Sequence, residues 1–178
     1  YSGFSKNKKW GTFASAGINW NISRESFMKP VEFVDNLALR LSYGSNGNQS
    51  ISPYSTLAKV ATDKYIFAGD PSYSITQYIK SFALDNLGWE TTTGFNFGLD
   101  FSVLGDRLSG SIDSYVTNTT DLLFNLALPG ISGKTSMLSN VGKIRNKGVE
   151  INLHSVNIKN NDFSWTSDFA FSLNRNKV

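Results

Sequence analysis

Cysteine is absent from this chain of 178 residues, and histidine occurs once, at His154. Without cysteine there is no disulfide framework, no thiolate metal site and no cysteine nucleophile. A single histidine also excludes a histidine-rich metal site built from these residues. No stretch approaches the roughly 18 consecutive apolar residues that a transmembrane helix needs. Membrane-spanning strands need only about 9–11 residues and are not excluded.

Charge is also scarce, at 17% of the residues, and the formal net charge is only +3. Lysine and arginine are scattered along the chain. The densest run, residues 6–9, reads as a solvated loop rather than an anion-binding patch. We therefore expect no nucleic-acid partner.

The sequence is rich in aromatic residues and in stretches that alternate apolar and polar residues. The clearest stretch covers residues 163–174, where the odd positions are aromatic or aliphatic apart from Ser167. The even positions are small or polar, including Asp168. Successive side chains of a strand point to opposite faces, so this pattern predicts one apolar and one wet face. The apolar set is too aromatic for an ordinary soluble sheet and favours a membrane β-barrel.

Alternation and turn signals predict about six strands. They lie near residues 10–22, 37–43, 88–103, 107–119, 147–158 and 163–174. Residues 44–86 and 120–146 are predicted as long loops, with a modest extra strand signal near residues 73–82. Short and long connectors thus alternate along the chain. Outer-membrane barrels have this asymmetry, with tight periplasmic turns and long extracellular loops.

The third and fourth strands are predicted to form a hairpin around residues 105–106. The Gly-Asp pair favours a type II′ turn. A two-residue loop pairs Leu104 with Arg107, and hence Leu99 with Ile112. Apolar residues then face apolar residues, and the polar sets also coincide.

The alternation is irregular at two places. Phe13 falls among the polar positions of the first strand. Between Leu153 and Val156 the pattern slips by one residue. A β-bulge or arrival at the membrane interface would both explain that slip.

The two faces supply the candidate functional residues. Asp100 and Asp113 are expected to be diagonal neighbours, which fits either acid–base chemistry or the polar lining of a water-filled lumen. We favour the lining. The lumen-facing candidates are Arg40, Asp100, Asp113, Glu150 and Asp168. The lipid-facing candidates are Phe95, Phe97, Leu99, Phe101, Phe169 and Phe171.

Catalytic motifs are not found. Residues 130–135 imitate the end of a phosphate-binding loop, but Leu128 stands where its first glycine is required. No Gly-x-Ser-x-Gly motif accompanies His154. We therefore predict that the chain is not an enzyme and has no catalytic, cofactor-binding or metal-binding residues.

A series of short phrases occurs in order along the chain. They include residues 7–17 (NKKWGTFASAG), 39–44 (LRLSYG), 87–92 (LGWETT), 146–150 (NKGVE) and 174–178 (NRNKV). In order and spacing they resemble the SusC/RagA family of TonB-linked outer-membrane transporters. The resemblance covers almost the whole chain.

This resemblance implies a barrel of about 22 strands that is closed by an N-terminal plug. It implies an outer-membrane location in a Bacteroidota-like bacterium, within lipid. The implied partners are TonB and a SusD-like surface lipoprotein that delivers oligosaccharide or peptide. No plug is present, so we expect a piece of the barrel wall with two outer loops. Tyr54, Tyr73 and Trp89 are the loop residues expected to contact substrate.

A soluble β-sandwich that binds carbohydrate is the alternative. Trp89 and the loop tyrosines would then serve as stacking platforms. A sandwich needs a second layer to cover its sheet, and no stretch of the chain clearly provides one. The transported substrate, and the division of the loops between substrate and lipoprotein, stay open.

Overall fold

A computed structural model describes residues 3–65 and 74–178 of the chain. The described residues form ten β-strands, three short 3₁₀ turns and no α-helix. The strands are β1 (Ser15–Asn21), β2 (Val34–Asn48), β3 (Lys59–Tyr65), β4 (Ser74–Ser81), β5 (Glu90–Val103), β6 (Leu108–Thr120), β7 (Leu123–Ala127), β8 (Ser136–Asn140), β9 (Lys143–Lys159) and β10 (Ser164–Lys177). The 3₁₀ turns are Ile22–Arg24, Ser26–Met28 and Gly130–Ser132.

Six of these strands form one antiparallel sheet in the order β1-β2-β5-β6-β9-β10. The predicted all-β antiparallel fold class is confirmed. The connections from β1 to β2, from β5 to β6 and from β9 to β10 all join the strands at the same end of the sheet. At the other ends of the strands the chain leaves the sheet for two long excursions, between β2 and β5 and between β6 and β9.

Several strand bounds differ from the predicted ones. β1 begins at Ser15 rather than near residue 10, and β2 extends through the polar residues 44–48. Pairing with the preceding segment accounts for the first of these residues, because Ser15 still pairs with Gly44 and the Ser45 amide donates to the Ala14 carbonyl at 2.9 Å after the apolar alternation has ended. Backbone pairing does not require apolar side chains, so hydrophobic alternation underestimates strand length.

The two predicted long loops contain additional strands. β3 and β4 form one two-stranded antiparallel hairpin, and β7 and β8 form another. Most of their side chains are exposed on both faces, which removes the alternation that identifies a half-buried strand. The predicted strand signal near residues 73–82 corresponds to β4, although residue 73 lies outside the described residues.

The prediction of a type II′ turn between β5 and β6 is wrong. A type II′ turn has positive φ only at its first central residue. Here three successive residues have positive φ: Leu104 at +60°, Gly105 at +66° and Asp106 at +60°. Hydrogen bonds to the start of β2 hold this conformation. The Asp106 amide donates to Asp35 Oδ2 at 2.9 Å, and the Leu104 amide donates to the Phe33 carbonyl at 2.9 Å.

The predicted pairing of β5 with β6 nevertheless agrees with three contacts. Thr92 Oγ1 and Thr119 Oγ1 are 2.8 Å apart. A methyl group added at residue 94 would contact Thr117, and one added at residue 98 would meet Asp113. Each of these pairs has the register that places Leu99 opposite Ile112.

A β-bulge interrupts the pairing of β9 with β10. Trp165 pairs with Ile158, but Thr166 pairs with Val156, so Asn157 is the extra residue. The Asn157 amide donates to Ser167 Oγ at 2.7 Å. Residues 153–156 pair without interruption, so this bulge lies just beyond the predicted slip and does not account for it.

The chain divides into two compact units. One unit, residues 13–46, 92–119 and 143–178, contains most of the six-stranded sheet. Among the described residues the buried hydrophobic side chains are Phe4, Ala38 and Leu87, and only Ala38 belongs to that unit. A sandwich would bury one whole face of its sheet, so the sandwich alternative is wrong.

The second unit contains both hairpins and is made of residues 1–12, 47–91 and 120–142. Its small core consists of Phe4 and Leu87, with the Phe4 and Trp89 rings 4.9 Å apart. The Asn140 side chain connects its segments. It accepts from the Gly88 amide at 2.7 Å and donates to the carbonyls of Gly88 and Asp121 at 3.0 and 2.8 Å.

Candidate functional site

A charged group lies in the middle of the six-stranded sheet, on strands β2, β5 and β6. The Arg40 guanidinium donates to both oxygens of Asp100, at 2.6 and 2.9 Å. The same guanidinium donates to Asp113 Oδ1 and Oδ2 at 3.1 and 3.3 Å. The predicted neighbourhood of the two aspartates is therefore present, and one arginine bridges them. Two carboxylates that share a guanidinium suit a polar lining better than an acid–base pair.

Glycine at position 98 makes room for this bridge. Gly98 lies on β5 between Arg40 of β2 and Asp113 of β6. A methyl group there would lie 2.8 Å from Arg40 Cζ and Nη2 and 2.8 Å from Asp113 Oδ1. The guanidinium can reach across β5 only because this residue has no side chain. Sequence reasoning did not identify Gly98, although the predicted register already placed it opposite Asp113.

Further polar links lie on the same side of the sheet. The Tyr115 ring covers Gly148 of β9, where a methyl group would lie 2.5 Å from the ring and hydroxyl. The Asn174 amide on β10 donates to Tyr115 Oη at 2.9 Å. On β9 and β10, His154 Nδ1 and Asp168 Oδ1 are 2.7 Å apart. We call this side, which carries Arg40, Asp100, Asp113, Tyr115, His154 and Asp168, the polar face.

The remaining predicted lumen residues also belong to the polar face by strand periodicity. Glu150 lies four residues before His154 on β9, and its partner Ser172 lies two residues before Asn174 on β10. Even spacings along a strand keep side chains on the same face. Asp168 is the most exposed of the paired carboxylates, with 78% of its side-chain area accessible, against 21% for Asp113. The polar face therefore has two separate charged contacts. One consists of Arg40 with Asp100 and Asp113, and the other pairs Asp168 with His154. Glu150 is not among the carboxylates that Arg40 binds.

The opposite side of the sheet is apolar. Phe101 and Leu153 approach Gly110 there, from β5 and β9 respectively. Phe169 pairs with Leu153, and Phe171 pairs with Ile151. We call this side, which carries Phe95, Phe97, Leu99, Phe101, Phe169 and Phe171, the apolar face. Four of its phenylalanines are solvent-accessible, from 38% for Phe97 to 56% for Phe169, whereas Leu99 and Phe101 are half-buried.

Of the three predicted substrate contacts, the structure describes Tyr54 and Trp89. Tyr54 is exposed and has φ +60°, and Tyr73 lies outside the described residues. Trp89 packs against Phe4, and its indole nitrogen is buried. The face of Trp89 towards Phe4 is therefore unavailable as a stacking platform.

Within the part of the chain that the structure describes, no helix is long and apolar enough to cross a membrane. Residues 3–65 and 74–178 contain no group of three or more histidine, aspartate or glutamate side chains that could hold a metal ion.

Known proteins resemble this chain along nearly its whole length. Residues 1–177 match the family described as TonB dependent receptor-like, beta-barrel. TonB-dependent receptor P3 of Formosa agariphila is 44% identical over 177 residues, which are 99% of this chain and 18% of that protein. TonB-dependent receptor SusC of Bacteroides thetaiotaomicron is 38% identical over 183 residues, covering 99% of this chain and 18% of that protein.

Solved structures show the same relationship in three dimensions. The RagAB peptide importer in its closed-closed state matches with a TM-score of 0.86 and 31% identity. That match covers 98% of this chain and 19% of the importer chain. The RagAB peptide transporter matches with a TM-score of 0.85. The chain spans about a fifth of the length of the relatives that it matches.

Proposed function

Because this chain belongs to the TonB dependent receptor-like β-barrel family, we propose that it forms part of the barrel wall of a nutrient importer. The importer takes up oligosaccharide or peptide with a SusD-like surface lipoprotein and is energised through TonB. The main observation that supports this proposal is the division of one sheet into a polar face and an apolar face. Arg40, Asp100 and Asp113 would line the lumen, and Phe97 and Phe169 would contact lipid.

The physical argument concerns the two solvents of a barrel wall. In lipid every backbone polar group must be satisfied internally, and a closed sheet achieves this. Its outer side chains are apolar and its inner ones polar, because water or polar groups fill the interior. A row of accessible phenylalanines opposite a hydrogen-bonded group of charges fits such a wall.

The family places the chain in the outer membrane of a Bacteroidota-like bacterium, as the sequence resemblance implied. Its relatives are receptors and transporters rather than enzymes, in agreement with the predicted lack of catalytic activity. Substrate and lipoprotein partner belong to the proposal. Two solved relatives are described as a peptide transporter and a peptide importer, which supports peptide as one candidate substrate.

Cysteine labelling of the full-length receptor tests the wall assignment. Ser172 and Phe171 are neighbours on β10 at nearly the same depth, on the polar and the apolar face. We expect a water-soluble maleimide to label Ser172→Cys in outer-membrane vesicles and to leave Phe171→Cys largely unmodified. Labelling after unfolding in detergent gives the total for each variant. Equal labelling, or the reverse order, would contradict the assignment.

The partner is tested on the same receptor. A tagged full-length protein purified from native membranes should bring down a surface lipoprotein. Loss of that lipoprotein should reduce uptake of the nutrient. Purification of the receptor alone, with unchanged uptake, would contradict the partner part of the proposal.

A further inference from the structure

A cavity of about 360 Å³ lies within the unit that contains the two hairpins. Its volume is within the range of about 300–1,000 Å³ that is typical of small-ligand sites. Three lysines line it, Lys59, Lys80 and Lys134, and none of its described lining residues is acidic. The lining also includes polar and aromatic side chains, those of Ser55, Ser81, Phe82, Asn125 and Ser136.

An irregularity in the first hairpin brings two of these lysines together. Lys59 pairs with Ser81, but the next residue, Val60, pairs with Ile79. Lys80 is therefore the extra residue of a β-bulge. A bulge redirects side chains, so Lys80 and Ser81 both lie opposite Lys59. All three residues line the cavity.

The third lysine comes from the other hairpin. Lys134 lies between β7 and β8, and its Nζ is 5.2 Å from the centre of the Tyr78 ring on β4. A cation at this distance is attracted by the negative face of the ring. Lys134 is half-buried, whereas Lys59 and Lys80 are exposed. The aromatic contact therefore holds the Lys134 ammonium beside the hairpin that carries the other two.

The charges and polar groups of the cavity define a ligand class. Three ammonium groups around one cavity repel each other, and a bound anion turns this repulsion into attraction. Serine hydroxyls and the Asn125 amide both donate and accept hydrogen bonds, which matches the hydroxyl groups of a sugar. Phe82, 37% exposed, offers an apolar surface to a sugar ring.

We propose that this cavity, the lysine cavity, binds an anionic oligosaccharide that carries carboxylate or sulfate groups. The inference rests on the proposed import function and specifies its substrate class. The lysines supply charge recognition, and the serines, Asn125 and Phe82 recognise the sugar itself. Binding is expected to weaken as salt rises, because the lysine–anion attraction is screened.

The test uses the full-length receptor in detergent and four defined probes. They are a uronate tetrasaccharide, a sulfated tetrasaccharide, neutral maltotetraose and a tetraglutamate peptide, titrated by calorimetry. We expect at least one anionic sugar to bind about tenfold more tightly than maltotetraose. That preference should shrink between about 50 and about 300 mM salt. Equal binding of charged and neutral sugars would overturn the proposal, as would tighter binding of tetraglutamate.

Substitutions then locate the binding. An exposed ion pair changes affinity by roughly two- to fivefold, so the combined Lys59→Gln, Lys80→Gln and Lys134→Gln variant should lose about tenfold or more for the anionic sugar. Lys64→Gln, on the same strand as Lys59 but outside the cavity lining, is the matched control. Unchanged affinity in the triple variant, or equal loss in the control, would overturn the proposal.

Two readouts keep this proposal separate from the wall assignment. The three single lysine variants are measured as well, and heat-modifiability on gels shows that the barrel of each variant has assembled.

The Tyr78 ring provides a second test of the site. Tyr78→Leu should weaken anionic-sugar binding through Lys134, and Tyr78→Phe should preserve it. If the Ser172 and Phe171 labelling succeeds but no anionic preference is found, the lysine cavity proposal fails alone. If that labelling fails, the proposed function fails independently of any sugar affinity.

Discussion

At the scale of single residues, Arg40 satisfies two carboxylates because residue 98 has no side chain. Asp100 and Asp113 lie on different strands, and their side chains are partly exposed, at 35% and 21%. Exposed ion pairs contribute little individually, about 0.2–1 kcal/mol. A planar guanidinium that contacts two carboxylates through several hydrogen bonds is the more favourable case. The link also connects β2 to β6 across the intervening strand.

Gly98→Ala tests this link. The added methyl group would lie 2.8 Å from both the guanidinium and Asp113 Oδ1, so at least one of these two groups must shift and the bridge between them is weakened. Alanine is itself favoured over glycine in a strand by roughly 0.5–1 kcal/mol, so the effect is measured against a second Gly→Ala variant on the same strand. We expect Gly98→Ala in the full-length receptor to be about 1 kcal/mol less stable than that variant, measured by urea unfolding in detergent.

Gly94→Ala is the matched control for Gly98→Ala. Gly94 lies on the same strand and face, but its nearest neighbour would be Thr117 Cγ2 at 3.4 Å, which is ordinary contact. This variant should be as stable as the parent or slightly more stable. If Gly98→Ala is equally stable, the space above Gly98 does not matter for the Arg40 bridge.

At the scale of strands, period-two alternation was a sound guide to the faces. Phe95, Phe97 and Phe101 share one side because successive side chains of a strand point in opposite directions. The β5–β6 pairing was predictable from a tight turn, even though the turn type was wrong. The contact of Arg40 with the two aspartates was not predictable from the sequence, because more than 40 residues separate β2 from β5 and no local turn sets their register.

The hairpins within the long excursions show where alternation fails. β3 and β4 expose most of their side chains, so no apolar face marks them in the sequence. The Lys80 bulge and the Lys134–Tyr78 contact depend on those hairpins. The lysine cavity was therefore out of reach of sequence reasoning, whereas the residues of the polar face were not.

Phe97→Arg tests the face assignment on β5. A charge facing lipid costs about 2–4 kcal/mol at the middle of the membrane, so assembly of the full-length barrel should fail or fall sharply. Asp100 lies on the same strand but on the opposite face. Asp100→Asn keeps the shape of the side chain and should be tolerated. Heat-modifiability on gels measures assembly of both. Equal tolerance of the two changes would refute the assignment of faces.

At the scale of the whole molecule, the six-stranded sheet ends in two strands that each pair on one side only within the described part of the chain. β1 pairs with β2, and β10 pairs with β9. Both outer strands therefore present backbone groups that need a neighbouring strand, and only closure into a barrel removes such edges in lipid. The relatives, about five times as long, have the further chain from which a closed barrel can be built.

The 178-residue chain on its own should consequently fail to stay monomeric in buffer. Exposed phenylalanines on the apolar face and two open strand edges both favour association, and only Ala38 is a buried hydrophobic residue in the unit that contains the sheet. We expect aggregation without detergent, measured by size exclusion, and little near-ultraviolet circular dichroism. Asp100→Asn leaves both causes in place and should aggregate equally. A stable monomer with ordered aromatic signals would mean that the apolar face is covered by protein, which would contradict its assignment to lipid.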